Sequence, residues 1–325
     1  MVQMKPAFPI LLAASLAALP IAAQVKITPG PEKIAIEIDG KPFGDFYVAG
    51  KDITKPYLWP LRAATGTYVT RAWPMEDVEE EKAIVRKDHP HQRGMWFAIE
   101  KLNGVDFWNN DPSYTEPPKR GRVVLDKLGA VKSGEKSGSL TATFNWTDTA
   151  GHKILTETRT MTFYSEPGRR TIDVDITLTA VEKATIEDSK DSGFAIRLRP
   201  VLQEDHGTGH IVNADGLTTE KEAWGKPSNW CDDSGEINGE KVGVAILDNP
   251  ANPGHPVRWH VRAYGLFGAN PFGQSVFGND RTAPKSNITL EPGQKLRYRY
   301  RVIIHPGDVK TADIAAAWDK YSSGK

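Results

Sequence analysis

A hydrophobic period of two recurs along this chain and restricts its fold more than any other feature. Ile34, Ile36 and Ile38 alternate with Lys33, Ala35, Glu37 and Asp39 before a turn at Gly40. That is the signature of a strand buried on one face. Leu140 to Trp146 repeats it, and after the turn at Asp148 to Gly151 the segment Lys153 to Tyr164 reads as its hairpin partner. Ile172, Val174, Ile176 and Leu178 form a further apolar face. Arg122–Leu125, Phe194–Leu198, Val242–Leu247, Val257–Tyr264, Asn287–Leu290 and Lys295–Ile304 complete about ten strands, which read as packed antiparallel sheets. The 29 glycines and 23 prolines supply the turns such a fold needs. One helix is expected, near the C-terminus, where Thr311 can cap and Ile314, Trp318 and Tyr321 make one apolar stripe.

Residues 1–23 read as an export signal: Lys5 gives the positive start, Ala7 to Leu19 the apolar stretch, and Ile21-Ala22-Ala23 a small-residue cleavage site. The remainder, residues 24–325, is expected to be one periplasmic domain. Cys231 is the only cysteine, so no internal disulfide can form. The leader's apolar run is too short for a comfortable membrane span and no other stretch approaches the length needed, so no membrane insertion is expected. Lysines and arginines total 41 and balance 41 acidic residues, which leaves no net field for nucleic acid.

Two alternating basic triplets carry the chemistry. If Asp88-His-Pro-His-Gln-Arg-Gly-Met-Trp-Phe97 is extended, His89, His91 and Arg93 share one face. Arg258, His260 and Arg262 alternate likewise with Val257, Trp259 and Val261. Together they would line a concave sheet that holds a polyhydroxylated or carboxylated ligand by charge-assisted hydrogen bonds. A His-x-His pair can also chelate a metal, with His206, His210 or His260 as third ligand, although the fixed charge of Arg93 opposes a cation; no metal or other cofactor is expected. Lys190 and Arg197 bracket the turn before another strand and could hold a carboxylate or ring hydroxyl. Arg297, Arg299 and Arg301 read as a solvated face. Nine tryptophans bear on the ligand, because sugars stack their C–H faces on indole. Trp96, Trp108, Trp224, Trp230 and Trp259 flank the polar clusters, and Trp224 and Trp230 are the expected rim. The chain has no Gly-x-Gly-x-x-Gly after a strand, phosphate loop or Gly-x-Ser-x-Gly elbow.

The blocks Asp88–Phe97, Asn103–Trp108, Lys190–Arg197, Ala223–Trp230, His255–His260 and Tyr264–Gly273, in that order, resemble the PmoA-like family of bacterial proteins of unknown function. The resemblance departs at Gln92, where that family often has a second adjacent His. It implies a galactose-mutarotase-like β-supersandwich and a carbohydrate-linked role, with Tyr264 and Asn270 beside the pocket. The sequence expectation is therefore an all-β, large antiparallel β-supersandwich with one short C-terminal helix. His89, His91 and His260 would be catalytic. Arg93, Trp96, Lys190, Arg197, Trp224, Trp230, Arg258, Tyr264 and Asn270 would bind a small sugar or oligosaccharide. Proton transfer on a sugar, by an epimerase or lyase route, competes with glycan binding without turnover, and a metal-dependent redox protein is a third alternative.

Overall fold

Alternation becomes sheet wherever one side of a segment meets core and the other meets water. The computed structural model describes residues 24–82, 87–114, 120–278 and 286–324. The expected export signal, and residues 115–119 of the expected site loop, lie outside these. Among the described residues, two eight-stranded antiparallel sheets and one two-stranded ribbon form. The first sheet runs in the order β1 (Val25–Pro29), β2 (Lys33–Ile38), β3 (Lys41–Tyr47), β4 (Tyr57–Trp59), β5 (Met95–Ala98), β11 (Gly193–Arg197), β16 (Leu266–Asn270) and β15 (Arg258–Val261). The second runs β12 (His210–Asn213), β13 (Trp230–Ile237), β14 (Glu240–Asp248), β18 (Lys295–Pro306), β9 (Arg169–Ala180), β8 (Lys153–Glu166), β7 (Ser137–Thr147) and β6 (Arg122–Lys132). The ribbon pairs β10 (Ala184–Ile186) with β17 (Ile288–Leu290). The hairpin expected at Leu140 to Tyr164 is β7–β8, in register from Ser137↔Tyr164 to Thr147↔Lys153.

The inner faces meet through aromatic rings. Phe43 packs edge-on against Phe163, Phe46 against Phe144, and Phe97 against Trp146, while Phe194 stacks on Tyr300. Each such side chain contributes about 1.5–3 kcal/mol on burial, which orients the two sheets face to face. One ion pair sits inside this core. Arg159 lies 2.6 Å from Glu157, whose second oxygen accepts the Trp146 indole N–H at 2.9 Å. The Phe46 and Phe144 rings flank the Arg159 guanidinium.

On the outer face of the second sheet the C-terminal helix, α3 (Ile314–Ser322), covers Trp230, Ala245, Leu247 and Ile303. Two expectations change here. Thr311 is not the cap: it exchanges hydrogen bonds with Asp308, and Asp313 holds the cap position with φ 50°. Trp230 is not a rim residue, because it points under α3 and away from the first sheet. The expected loop Gln203 to Gly239 also folds further, into β12, α2 (Thr219–Ala223) and β13. β13 escaped the periodic reading because it buries Asp232, Asp233 and Ser234. His305 Nε2 compensates Asp232 at 2.7 Å.

The all-β antiparallel sandwich with a short C-terminal helix, expected from the alternation, is the fold that forms. Among the described residues no helix is long and apolar enough to cross a membrane.

Candidate functional site

One row of residues crosses the outer face of the first sheet. His260 on β15 pairs with Gly268, Gly268 with Ala195, Ala195 with Trp96, and Trp96 with Tyr57. Side chains two apart on a strand share a face, so this row looks away from the aromatic core. Gly268 and Ala195 add no bulk, which leaves a shallow floor between His260 and Trp96, three strand spacings or about 14 Å apart at Cα. A Cβ on Gly268 would come within 3.2 Å of the Ala195 methyl and 3.3 Å of Phe194 O, so glycine keeps this floor open.

The groups around the floor are buried yet incompletely paired. His260 is 3% exposed, and neither ring nitrogen has a hydrogen-bond partner. Asp191 Oδ1 stands 3.8 Å from its Nδ1, just beyond bonding range. The Trp96 and Trp224 indole nitrogens and the Nε of Arg197 and Arg71 are also buried without partners. Trp224 and Phe277 meet His260 edge-on, at centroid distances of 6.5 and 5.7 Å. Burial lowers the His260 pKa to about 4, against the raising effect of Asp191, so the imidazole is neutral near pH 7 and able to accept a proton.

The segment leading into β5 builds the opposite wall, and it is not extended. His89 adopts φ 49°, Gln92 N donates to His89 O at 3.0 Å, and Gly94 follows at φ 52°. The expected alternation of His89, His91 and Arg93 therefore fails, because a turn replaces the strand. A Cβ at Gly94 would lie 2.3 Å from Leu58 O, so this turn reaches β5 only with glycine there. The turn still brings the two imidazoles within 5.7 Å of each other. His89 stacks on Tyr264, and His91 Nδ1 lies 2.7 Å from the Tyr114 hydroxyl. Burial, then the charge of Lys55, holds His91 well below the usual imidazole range. Lys55 is itself lowered to about 7 by burial and by Arg93, and donates to Trp108 O and Asn110 Oδ1.

Arg197 and Arg71 form the cationic part of the wall. Arg197 donates to Gln92 Oε1, approaches Asp88 Oδ1 at 3.4 Å and lies over the Tyr264 ring at 4.5 Å. Arg71 reaches the same Asp88 oxygen at 3.3 Å and ties the turn through His89 O and Gln92 O. Burial alone would raise Asp88, but the His89 hydrogen bond and the two guanidiniums outweigh it and hold the carboxyl at about 2.

Several expected contacts are committed elsewhere. Arg93 turns outward to Asp111 at 2.7 Å and to the carbonyls of Pro90 and Asp52. Arg258 is used by Gln274 Oε1 and Gly225 O, and Lys190 pairs with Asp191 in an exposed turn. Asn270 donates to Ser189 O and Lys190 O and accepts Phe272 N, so it holds the loop that carries Asp191 and has no free polar atom for a ligand. Among the described residues no three His, Cys, Asp or Glu side chains group to hold a metal; His210 belongs to β12 of the other sheet. Arg71, Gln92 and Asp191 were not expected at the site. Asp191 sits beside Lys190 in a turn where only the lysine attracted attention, and nothing local marks Arg71.

An alpha-galactosidase from Lactobacillus brevis is similar over 89% of this chain and 40% of its own, with 9% identity and TM-score 0.43. A galactose 1-epimerase from Lactobacillus acidophilus is similar over 88% of this chain and 98% of its own, at 9% identity and TM-score 0.38. A polysaccharide lyase matches 90% of this chain and 34% of its own, at 10% identity and TM-score 0.36. The chain thus spans about two fifths of the alpha-galactosidase and a third of the lyase. No curated protein sequence matches the chain. The resemblance to the PmoA-like family does not hold, because the family model that matches is a different one. That model covers residues 33–319, and the chain belongs to the Family of unknown function (DUF6807).

Proposed function

We propose that the outer face of the first sheet binds a sugar and that His260 exchanges a proton with it. His260 carries this reading: it is a neutral imidazole, nine-tenths and more buried, with both nitrogens unpaired. Buried polar atoms without partners are rare, and a row of them beside a floor of glycine and alanine marks a place built for a polar ligand. Movement of Asp191 by less than an ångström would let it accept Nδ1–H and leave Nε2 as the base.

The chemistry that suits these groups is removal of a C–H proton next to a carbonyl or carboxylate of the sugar. The C–H bond breaks, the proton goes to His260 Nε2, and the electron pair moves onto oxygen as an enolate. Arg197, held by Gln92 and Asp88 with its Nε free, supplies positive charge to that oxygen. Delivery of a proton from water to the opposite face inverts the carbon, with the abstracted proton leaving His260 to solvent; loss of the substituent at the next carbon, which departs with that proton, eliminates. Uronic acids and keto-sugars present such protons. Trp96 and Trp224 offer indole N–H donors and apolar surface to the ring. The export signal read from residues 1–23 of the sequence supports a periplasmic setting for this reaction.

The test is incubation of the mature protein with neutral, acidic and keto-sugars in deuterium oxide, followed by NMR. Exchange of a ring C–H, or new alkene protons, is the expected result. Saturable binding without exchange for any sugar would leave a glycan-binding protein and end the enzyme reading.

A further inference from the structure

A cavity of about 470 Å³ is lined by Tyr57, the strand neighbour of Trp96 at the end of the row that starts at His260, and by Pro90 and Arg93 of the His89–Gly94 turn. Its walls include Tyr47, Tyr57, Trp73 and Met75, and its floor holds Arg93 and Asp111. From these features we infer that the cavity is a subsite for a further sugar ring, so that the ligand of the neighbouring face is an oligosaccharide. The inference rests on the sugar reading given above and narrows it.

The floor argues for neutral hydroxyls. Arg93 and Asp111 lie 2.7 Å apart and cancel one another's charge, so the cavity gives an anion no net attraction. Both are also fixed before any ligand arrives. Arg93 is tied to Pro90 O and Asp52 O at 3.2 Å each, and Asp111 accepts Ser113 N and Oγ at 3.0 and 2.7 Å. A rigid donor-acceptor pair costs little ordering entropy when it meets a diol. The apolar lining argues for a pyranose: Tyr47 and Tyr57 stack at 4.9 Å, and Trp73, Pro74 and Met75 line the cavity with them. Rings whose edges are hydroxylated and whose faces are C–H match a polar floor between apolar walls.

Position argues for a linked chain of rings. Tyr57 pairs directly with Trp96, so the cavity begins where the row from His260 ends. His260 and Tyr57 are four strand spacings apart, about 19 Å. A single ring cannot touch both ends, and several linked rings can.

The experiment is calorimetric titration of the mature protein with galacturonic acid and β-1,4-glucose series, each from one to six rings. Affinity should rise with length by at least about 10-fold, the size of one added hydrogen bond to a charged group. Arg93→Gln and Trp73→Ala, each checked for an unchanged melting temperature, should each lower the ratio of longest to shortest affinity by roughly 10-fold. Single-ring binding with no dependence on length overturns the subsite and spares the sugar reading. A length dependence that both variants leave intact places the added rings elsewhere and also overturns it. If no ring or chain binds in either series, the sugar reading fails and the subsite fails with it.

Discussion

On the outer face of the second sheet, Arg297 donates to Asp175 at 2.9 Å and Arg301 lies 2.6 Å from Asp173, all four partly in water. Thr141 and Thr160 complete that face by bonding one another. The outer face of the first sheet also carries arginines, aspartates and aromatic rings, but loops bury it and the ring nitrogens of His260, Trp96 and Trp224 go unpaired. Composition therefore does not separate a site from a solvated surface. Unpartnered buried groups gathered beside an open floor do, because a polar group hidden from both water and protein is destabilised until a ligand arrives, whereas atoms such as Asn213 Nδ2, Asp232 Oδ1 and Tyr298 OH are unpartnered on strands of the second sheet as well.

The largest effect that can break this contrast is on turnover. His260→Ala should lower kcat by roughly 10²- to 10⁴-fold, the usual loss when a general base is removed. Arg297→Ala, on the other face, should leave kcat within experimental error. Equal losses in the two variants would mean that His260 acts only through stability, which a matched pair of thermal melts would reveal.

The same imidazole sharpens the contrast through pH. Its folded pKa of about 4 lies below the 6.5 of an exposed histidine, so between these values the unfolded chain binds more protons than the folded one. Stability is then fully present above pH 6.5 and is lost as pH falls through 4, by on the order of 3 kcal/mol from this residue. Urea midpoints at pH 7 and 4.5 should diverge in the wild type and diverge less in His260→Asn, where the buried His91 still contributes. Activity should share the same acid limb, rising as pH increases through the region where His260 loses its proton.

How much of this was legible in the sequence follows from the contrast itself. Strands with one wet face were readable: β7 alternates in burial along its whole length and β9 from Ile172 onward. β4, β5 and β16 are buried on both faces, by core on one side and loops on the other, so their period of two vanishes. Of these, β16 carries the floor residue Gly268 and β5 its edge at Trp96, while β11, just as buried, was still read at Phe194–Leu198. His260 was found because its neighbours Trp259 and Val261 are apolar and alternate with it. The His89–Arg93 segment misled for the opposite reason: spacing suggested a strand, while the positive φ of His89 and Gly94 turns the chain. Gln92 looked like a lost histidine, yet its side-chain Oε1 is what accepts from Arg197 and fixes it.

The smallest expected effect concerns the two pairs of the solvated face. Arg297 and Asp175 have half or more and about a third of their side chains in water, so a double-mutant cycle between them should give about 0.2–1 kcal/mol. Arg301 is less exposed and lies over the rings of Tyr164 at 5.6 Å and Tyr321 at 4.7 Å, which keep water from its guanidinium. Its cycle with Asp173 should therefore exceed that of Arg297 with Asp175 and weaken less in 0.5 M salt, about half a molar, where screening acts mainly on exposed charges. Measured by chemical denaturation, the reverse order would show that partial cover by aromatic rings does not strengthen an ion pair on this face. The line drawn between wet, paired charges and dry, unpaired ones would then lose its intermediate case.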